Sequence, residues 1–386
     1  MKKVKPGLEV LLEREMSLVR GRRVGVVTNH SAVTSDITHV VDALLGAGVN
    51  LVALYGPEHG VRGDVADGQE IASGTDPRTG LPVHSLYGPT RKPTREMLAG
   101  VDVMLYDLQD IGARFYTYTY TMSYVMQACA EDGKQFVVLD RPNPINGLAV
   151  EGNVLHTDFA SFIGLHPIPI RHGMTVAELA TFFNDELGFG ADLEVVLCQG
   201  WKRAMWFDQT GLPWVMPSPN MPTLDAALLY PGLCLIEGTN VSEARGTSKP
   251  FEMLGAPWAD GYELAARLNA IELPGVRFRP VHFMPKASKH QDQACSGVQA
   301  HVMDRDAVRA VEVGLHVVKA LQDLHPDDFQ FRPPGPSGKH FFDLLTGTDE
   351  TRLAIQAGTP VEEIVGSWAD GLQEFMRARQ RHVLYA

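Results

Sequence analysis

The sequence predicts an α/β protein built on a doubly wound, mainly parallel sheet, followed by a second, smaller α/β unit. Strand and helix patterns alternate through the first half of the chain, as they do in repeated βαβ units. The 386 residues are enough for two hydrophobic cores. A proline-rich stretch at Pro213–Leu224, which no regular element tolerates, separates the two parts.

Short apolar runs that end in glycine or polar residues predict the strands of the first part. Strands are expected at Arg23–Asn29, Leu51–Gly56, Pro82–Gly88, Val101–Tyr106, Gln135–Leu139 and Leu193–Trp201. Several of these runs lead directly into charged residues. In open α/β sheets, the carboxyl ends of the strands are where ligand crevices form.

Helical spacing of apolar residues alternates with these strands. Helices are expected over Thr38–Gly48, Arg95–Leu98, Tyr118–Asp132 and Thr175–Asn184. Thr94 can cap the second of these helices at its N-terminus. Thr175, with Glu178 three residues later, fits a capping box for the last one.

We predict a domain boundary just after the proline-rich stretch, which divides the chain into residues 1–228 and 229–386. Beyond it, strands are expected near Val276–Phe283 and Gly297–Met303, and a helix near Arg305–Leu324. A final helix has a start signal at Thr359, Pro360 and Glu362, and one apolar face made of Ile364, Trp368, Leu372 and Phe375.

Composition excludes several classes of function. The net charge of −12, without any run of Lys or Arg, argues against nucleic-acid binding. No run of about 18 apolar residues occurs, so no membrane span is expected. GxGxxG, GxxxxGK[ST], HExxH and GxSxG motifs are absent, which disfavours nucleotide-dependent enzymes and serine hydrolases. The four cysteines, Cys129, Cys198, Cys234 and Cys295, are widely spaced and are expected to be buried thiols.

The N-terminal stretch has a basic start, but glutamates interrupt its apolar residues, so it does not read as a signal peptide. The sequence as it stands therefore predicts a cytoplasmic protein. A trimmed leader would make the protein secreted or periplasmic instead.

Charged residues cluster where the predicted strands end, and they are the candidates for a site. Three strand ends supply Glu58, Arg62, Asp107, Asp110, Arg114, Asp140, Arg141 and Asn143. A second charged loop carries Glu237, Glu243 and Arg245. Charge delivered to one rim by three strands favours a site for a charged or polyhydroxylated small molecule.

Each of these groups also has a purely structural interpretation, which the sequence leaves open. Glu58 can cap a helix or pair with Arg62. Asp107, Asp110 and Arg114 can form an internal ion-pair network, and the residues of DRPNPING are typical turn formers.

Tyrosines and histidines bear on two further questions, whether the site binds a sugar and whether it binds a metal. Tyr116–Tyr124 is rich in tyrosine, whose ring faces stack on sugars while the hydroxyl hydrogen-bonds, although the same rings also suit a helix packed on a sheet. Four histidines lie near the candidate aspartates, namely His30, His59, His84 and His172. Their spacing matches no standard ligand pattern, so no metal is expected.

Five long motifs give the chain a specific family resemblance. They are GPEHGVRG, YDLQDIGARFYTY, LDRPNPING, PSPNMPT and EGTNVSEARGTSKPF, in this order. With these motifs the chain resembles the exo-β-N-acetylmuramidase (NamZ) family, formerly a domain of unknown function. The resemblance implies a Rossmann-like N-terminal domain, a smaller α/β C-terminal domain, no cofactor, and removal of N-acetylmuramic acid from non-reducing ends of peptidoglycan fragments. It also implies that Glu58, in the PEHG motif, is the catalytic acid.

Such a substrate assigns expected roles to the other candidates. An arginine can hold the lactyl carboxylate of muramic acid bidentately, and Arg62, Arg114 and Arg245 are the candidates, with Arg114 favoured by its place at the strand rim. Further substrate contacts are expected from Asp107, Asp110, Tyr116, Asp140, Arg141, Asn143 and Asn220. The second catalytic group stays open among Glu70, Asp107 and Glu243, as does the choice between a retaining, an inverting and a substrate-assisted mechanism.

Two rival functions remain at this point. A metal-dependent amidohydrolase or deacetylase would use His59, Asp107 and Asp110 as ligands. A non-catalytic muropeptide-binding protein would bind muramic acid without releasing sugar. The expected partners are muramic-acid-containing saccharides, and the sequence is silent on the oligomeric state.

Overall fold

The computed structural model describes residues 3–63 and 73–386. Within these ranges the chain forms a seven-stranded sheet, a three-stranded sheet and a two-stranded sheet, all flanked by helices. Strands lie at Val24–Thr28 (β1), Leu51–Gly56 (β2), Gly74–Thr75 (β3), Pro82–Ser85 (β4), Val103–Asp107 (β5), Gln135–Leu139 (β6), Glu151–Val154 (β7), Pro169–Arg171 (β8), Asp192–Val196 (β9), Met253–Ala256 (β10), Val276–Phe283 (β11) and Cys295–Val302 (β12).

The helices alternate with the strands in the first part of the chain and dominate its end. They span Gly7–Arg14 (α1), Val40–Gly46 (α2), Arg95–Leu98 (α3), Tyr118–Glu131 (α4), Val176–Glu186 (α5), Leu224–Leu233 (α6), Gly261–Ala270 (α7), Ala310–Leu324 (α8), Phe341–Thr346 (α9), Glu350–Gln356 (α10), Val361–Gly366 (α11) and Ala369–Arg379 (α12).

The large sheet has the strand order β3-β4-β2-β1-β5-β6-β9. All neighbouring pairs are parallel except β3 with β4. This confirms the predicted mainly parallel sheet. In such a sheet the carboxyl ends of the parallel strands share one edge, which places the loops after β2, β5 and β6 near one another.

Successive side chains of the central strands point to opposite faces of the sheet and pack into two separate cores. Val103 and Leu105 pack with α1 and α2 on one face of the sheet. Met104 and Tyr106 pack with α4 and α5 on the other face. Helices on both faces make the sheet doubly wound, as predicted.

The second part of the chain is built on the antiparallel sheet β10-β12-β11. Helix α6 connects it to the first part and crosses α8 closely, with Gly232 against Gly314. The hydrophobic core on the α4 face of the large sheet continues through α6 and α8 into this second sheet. The division at residue 228 stays a prediction, and that residue lies inside α6.

One predicted element is wrong, and several observed elements had not been predicted. The single terminal helix expected after Pro360 is two helices, α11 and α12, with a break at Ser367 and Trp368. The antiparallel pair β7 and β8 had not been expected at all. Two local predictions are confirmed, because Thr94 caps α3 and Thr175 with Glu178 forms a capping box on α5.

The remaining composition-based expectations concern cysteines and membranes. All four cysteines are buried free thiols, as expected. None of the helices in the described ranges has the length and apolarity that a bilayer crossing requires.

Candidate active site

A cavity of about 420 Å³ lies between the two parts of the chain. Residues that follow β2 and β5 line it from the first part, and residues of α6, α9 and the loop before β10 line it from the second. Among the described residues, its charged lining consists of Glu58, Arg91, Glu237 and Arg245. A concave site of this size holds a small organic molecule.

Glu58 reaches the cavity from the loop that leaves the carboxyl end of β2. Its side chain is half-buried, and the hydroxyl of Thr117 donates a hydrogen bond of 2.7 Å to Glu58 Oε2. Thr117 immediately precedes α4 but does not cap that helix with its side chain. The Thr117 hydroxyl therefore binds the glutamate instead of capping the helix, and it orients the Glu58 carboxyl group.

Glu237 enters the cavity from the opposite part of the chain, in a helical turn at Cys234–Gly238 directly after α6. Arg245 donates to Glu237 Oε1 from Nε at 3.1 Å and also from Nη2. Burial raises the pKa of the Glu237 carboxyl, and the Arg245 guanidinium opposes this effect. Glu237 is thus a partly buried, oriented carboxyl group that lines the cavity.

Glu243 lies behind Glu237 and outside the cavity lining. Its two carboxylate oxygens pair with Arg245 Nε and Lys289 Nζ, each at 3.0 Å. Burial would raise the pKa of Glu243, but Lys289 and Arg245 together lower it below its ordinary value. The structure therefore makes Glu243 an ionised partner that holds Arg245 in place.

Aromatic rings form much of the remaining wall. Tyr116 packs edge-on against Tyr118 at 4.8 Å and against Tyr230 at 6.1 Å between ring centroids. Tyr230 in turn packs edge-on against Phe251 at 4.7 Å. The Tyr118 hydroxyl donates to the Pro217 carbonyl at 2.6 Å, which ties this wall to the proline-rich segment. Such rings suit the apolar faces of a sugar.

Three residues with left-handed backbone lie in the loops that border the cavity. His59 and Phe251, which line the cavity, have φ values of 71° and 61°, and Ala244, next to Arg245, has a φ of 61°. Left-handed conformations are costly for residues other than glycine and cluster at functional sites. The strained positions hold the loops that carry Glu58 and Arg245.

The structure brings four of the residues proposed from the sequence to the cavity: Glu58, Tyr116, Asn220 and Arg245. Arg62 lies outside the lining, in a two-pronged ion pair with the buried Asp76 at 3.0 and 2.9 Å. Glu70 lies outside the described residues. Asn220 comes from the proline-rich segment, so that segment forms part of the wall.

Arg114, the favoured partner for a lactyl carboxylate, is fully buried and does not line the cavity. Its guanidinium donates to the backbone carbonyls of Asn153, Ile168 and Leu345 at 2.8 to 2.9 Å. Burial lowers the pKa of Arg114 to about 10. In this position Arg114 does not contact a ligand in the cavity, so the expected contact with a lactyl carboxylate is not seen. Its role is structural, because it donates to buried carbonyl groups, one of them in the last turn of α9.

The other strand-end residues are also interior. Asp107 and Arg141 form a buried ion pair, with Arg141 Nη2 3.0 Å from Asp107 Oδ2. Asp110 accepts the Gly112 N–H at 2.7 Å. None of these three candidates lines the cavity, and burial in hydrogen-bonded pairs explains why.

Asp140 and Asn143 likewise organise the DRPNP turn. Asp140 accepts the Ala177 N–H at 3.0 Å and the hydroxyl of Tyr385, and burial raises its pKa to about 7. The Asn143 amide donates to the Met174 carbonyl at 2.9 Å. The turn-forming interpretation fits both residues better than substrate contact does.

The ligand set of the metal-dependent rival is not assembled. Of its three residues, His59 lines the cavity, whereas Asp107 is paired with Arg141 and Asp110 accepts a backbone N–H. Across residues 3–63 and 73–386, no group of three or more His, Cys, Asp or Glu side chains is placed to hold a metal ion.

The sequence placed Glu237 in the second charged loop but gave it no catalytic role, and among the other lining residues it indicated no role for Tyr87, Arg91 and Phe162. A signal existed for Glu237, because it stands in the same EGTNVSEAR motif as Glu243. Tyr87, Arg91 and Phe162 lie in loops without any motif or strand-end signal. Their position depends on how separate loops meet in three dimensions.

Two glutamates and a wall of tyrosines in one cavity, between two α/β parts, define a site of the glycosidase type, in which carboxyl groups flank a sugar. The chain belongs to the exo-β-N-acetylmuramidase NamZ family. The family's N-terminal model matches residues 24–225, and its C-terminal model matches residues 228–385.

Similar proteins match this chain over nearly its full length, in sequence and in fold. The chain is 50% identical to the peptidoglycan β-N-acetylmuramidase NamZ of Bacillus subtilis (strain 168), over 99% of this chain and 92% of that protein. Two solved structures of DUF1343 family proteins from Bacteroides fragilis NCTC 9343 each cover 100% of this chain and 99% of their own. Their TM-scores are 0.91 and 0.78, at 40% and 31% identity.

Proposed function

We propose that this protein is a glycosidase that releases N-acetylmuramic acid from the non-reducing end of peptidoglycan fragments. The observation that carries the proposal is the placement of Glu58 and Glu237 in one aromatic-walled cavity. Membership of the NamZ family, and 50% identity to a peptidoglycan β-N-acetylmuramidase, support the choice of substrate.

Glu58 is the proton donor to the glycosidic oxygen. The bond cannot break easily unless the leaving oxygen gains a proton, and a carboxylic acid beside the scissile bond supplies it. The Thr117 hydroxyl holds one carboxyl oxygen of Glu58 at 2.7 Å and so orients the group. The strained backbone at His59 keeps the PEHG loop in this arrangement.

Glu237 is the second carboxyl group, in preference to Asp107 and Glu243. It lines the same cavity as Glu58, whereas Asp107 and Glu243 are held in interior pairs. A glycosidase needs a second carboxyl group to stabilise positive charge at the anomeric carbon and to assist attack there. Arg245 orients Glu237, and Glu243 in turn holds Arg245.

The aromatic wall positions the sugar between these two groups. Tyr116, Tyr230 and Phe251 line the cavity, and Asn220 adds an amide to the same lining. Ring faces pack against the C–H faces of a pyranose, while the amide can hydrogen-bond a hydroxyl or the N-acetyl group. The binding energy fixes the ring so that the proton donor meets the right oxygen.

The test is a Glu58→Gln variant assayed on a muramyl disaccharide, whose leaving sugar oxygen needs the proton. Glutamine keeps the shape and can still accept the Thr117 hydrogen bond, but it cannot donate the proton. We expect kcat to fall by about 10²- to 10⁴-fold, the usual contribution of a general acid. The melting temperature should stay within a few degrees of wild type.

Glu374→Gln, an exposed glutamate in α12, is the matched control and should keep wild-type kcat. Turnover by Glu58→Gln close to wild type would remove Glu58 from the mechanism. Tight binding of N-acetylmuramic acid by the wild type without any release of sugar would favour a binding protein over an enzyme.

A further inference from the structure

The cavity contains two guanidinium groups, and they differ in their partners. Arg245 is engaged with Glu237 and Glu243. Arg91 lines the same cavity, its side chain is exposed, and it forms no hydrogen bond or ion pair with any residue in the described ranges. Since Arg62 and Arg114 lie elsewhere, Arg91 is the lining arginine that has no anionic partner among the residues the structure describes.

The position of Arg91 is set by stacking. Its guanidinium carbon lies 4.0 Å from the ring centroid of Phe162 and 5.9 Å from that of Tyr87. Phe162 is itself stacked on Tyr124, with centroids 6.3 Å apart and ring planes 8° from parallel. A guanidinium stacked on a ring face keeps its N–H groups in its own plane, where they can bind a carboxylate bidentately.

A second polar group lies next to Phe162 in the chain. Ser161, the neighbour of Phe162 in the chain, also lines the cavity. Its hydroxyl oxygen is shielded from solvent and has no hydrogen-bond partner among the residues that the structure describes. Arg91 and this hydroxyl therefore line the same cavity.

We propose that Arg91 binds the carboxylate of the lactyl group of N-acetylmuramic acid and sets the preference for this sugar over N-acetylglucosamine. The two sugars differ in that lactyl ether, so its negative charge is the feature that a selective site must read. The proposal rests on the proposed function. It identifies Arg91, on the loop between β4 and α3, as a specificity-determining residue.

The test compares kcat/KM for glycosides of N-acetylmuramic acid, of its lactyl carboxamide and of N-acetylglucosamine. For Arg91→Gln we expect kcat/KM on the free acid to fall by about 10- to 100-fold, the range for lost hydrogen bonds to a charged group, mainly through KM. The carboxamide and N-acetylglucosamine glycosides should change little. Arg91→Lys, which keeps the charge without the planar fork, should recover part of the loss.

Arg95→Gln is the matched control, because Arg95 is exposed on α3 and pairs with Asp132, away from the cavity. It should leave all three values unchanged. An Arg91→Gln variant with the wild-type ratio of acid to carboxamide would overturn the proposal. A wild type that does not distinguish the acid from the carboxamide would overturn it as well.

The same assays distinguish a failure of the glycosidase assignment from a failure of the role proposed for Arg91. If the wild type hydrolyses none of the glycosides, the glycosidase assignment fails. Calorimetric titration with free N-acetylmuramic acid and its lactyl carboxamide then decides on Arg91 separately. Tighter binding of the acid by wild type, lost in Arg91→Gln, supports the role of Arg91, and equal binding overturns it.

Discussion

Glu237 and Glu243 stand six positions apart in one loop but meet different surroundings. Glu243 is surrounded by Lys289 and Arg245, which lower its pKa, whereas burial raises the pKa of Glu237. Glu243 is therefore held as a charge in the protein interior. Glu237 borders the cavity and is the glutamate that can act on a substrate.

We therefore expect Glu237→Gln to lower kcat on an N-acetylmuramic acid glycoside by about 10²-fold or more, as for the loss of a catalytic carboxyl group. Glutamine still accepts from Arg245, so the fold should persist. Steady-state kinetics with and without added azide would measure the effect, since a small anion can replace a lost nucleophile or base.

Glu263→Gln on α7, exposed and far in sequence from the loop, is the control for this variant. Wild-type kcat in Glu237→Gln would contradict the assignment. In that case Glu237 would only anchor Arg245.

The residues at the strand ends show what a sequence can and cannot predict about a site. Charge after a buried strand correctly marked the edge of the sheet, and Glu58 followed from the PEHG motif. Asp107 and Arg141 carry the same signal but pair with each other in the interior. Because a buried charge needs a partner, a structural ion pair and a binding group leave similar patterns in the sequence.

The elements follow the sequence pattern closely where the pattern is local. The helix expected over Tyr118–Asp132 is observed at Tyr118–Glu131, and the strand expected at Gln135–Leu139 has those bounds. Helix α6 escaped prediction because it contains Pro231 and follows a proline-rich stretch. Its stability comes from tertiary burial, since eight of its ten residues are buried.

The crossing of α6 and α8 depends on two glycines. A Cβ atom added to Gly314 would lie 2.2 Å from the Gly232 carbonyl oxygen, so the helices would have to separate. We expect Gly314→Ala to lower the free energy of unfolding by about 1–3 kcal/mol, as other overpacking changes do. Urea denaturation measures this change.

Activity should fall in the same variant, since α6 carries Tyr230 and leads into Glu237. Gly371→Ala in α12 is the control, because its added Cβ would meet only a methyl group of Val154 at 3.9 Å. It should leave stability unchanged or raise it slightly. Equal stability of Gly314→Ala and wild type would show that the helices can move apart without cost.

The whole molecule unites distant parts of the chain around one cavity. Glu58 comes from the first part and Glu237 from the second, so neither part alone contains the site. The C-terminal residues return to the large sheet, where the Tyr385 hydroxyl donates to Asp140 and Arg379 donates to the Gly173 carbonyl at 2.8 Å. Such long-range contacts have no local signal, so they could not be predicted from the sequence.

The most direct test of the account uses two disaccharides with opposite sugar order and follows their products by mass spectrometry. One carries N-acetylmuramic acid at the non-reducing end of N-acetylglucosamine, and the other carries N-acetylglucosamine at the non-reducing end of N-acetylmuramic acid. We predict that the wild-type protein splits the first into equal amounts of the two sugars and leaves the second intact. Cleavage of both at similar rates, of the second alone, or of neither would contradict the account.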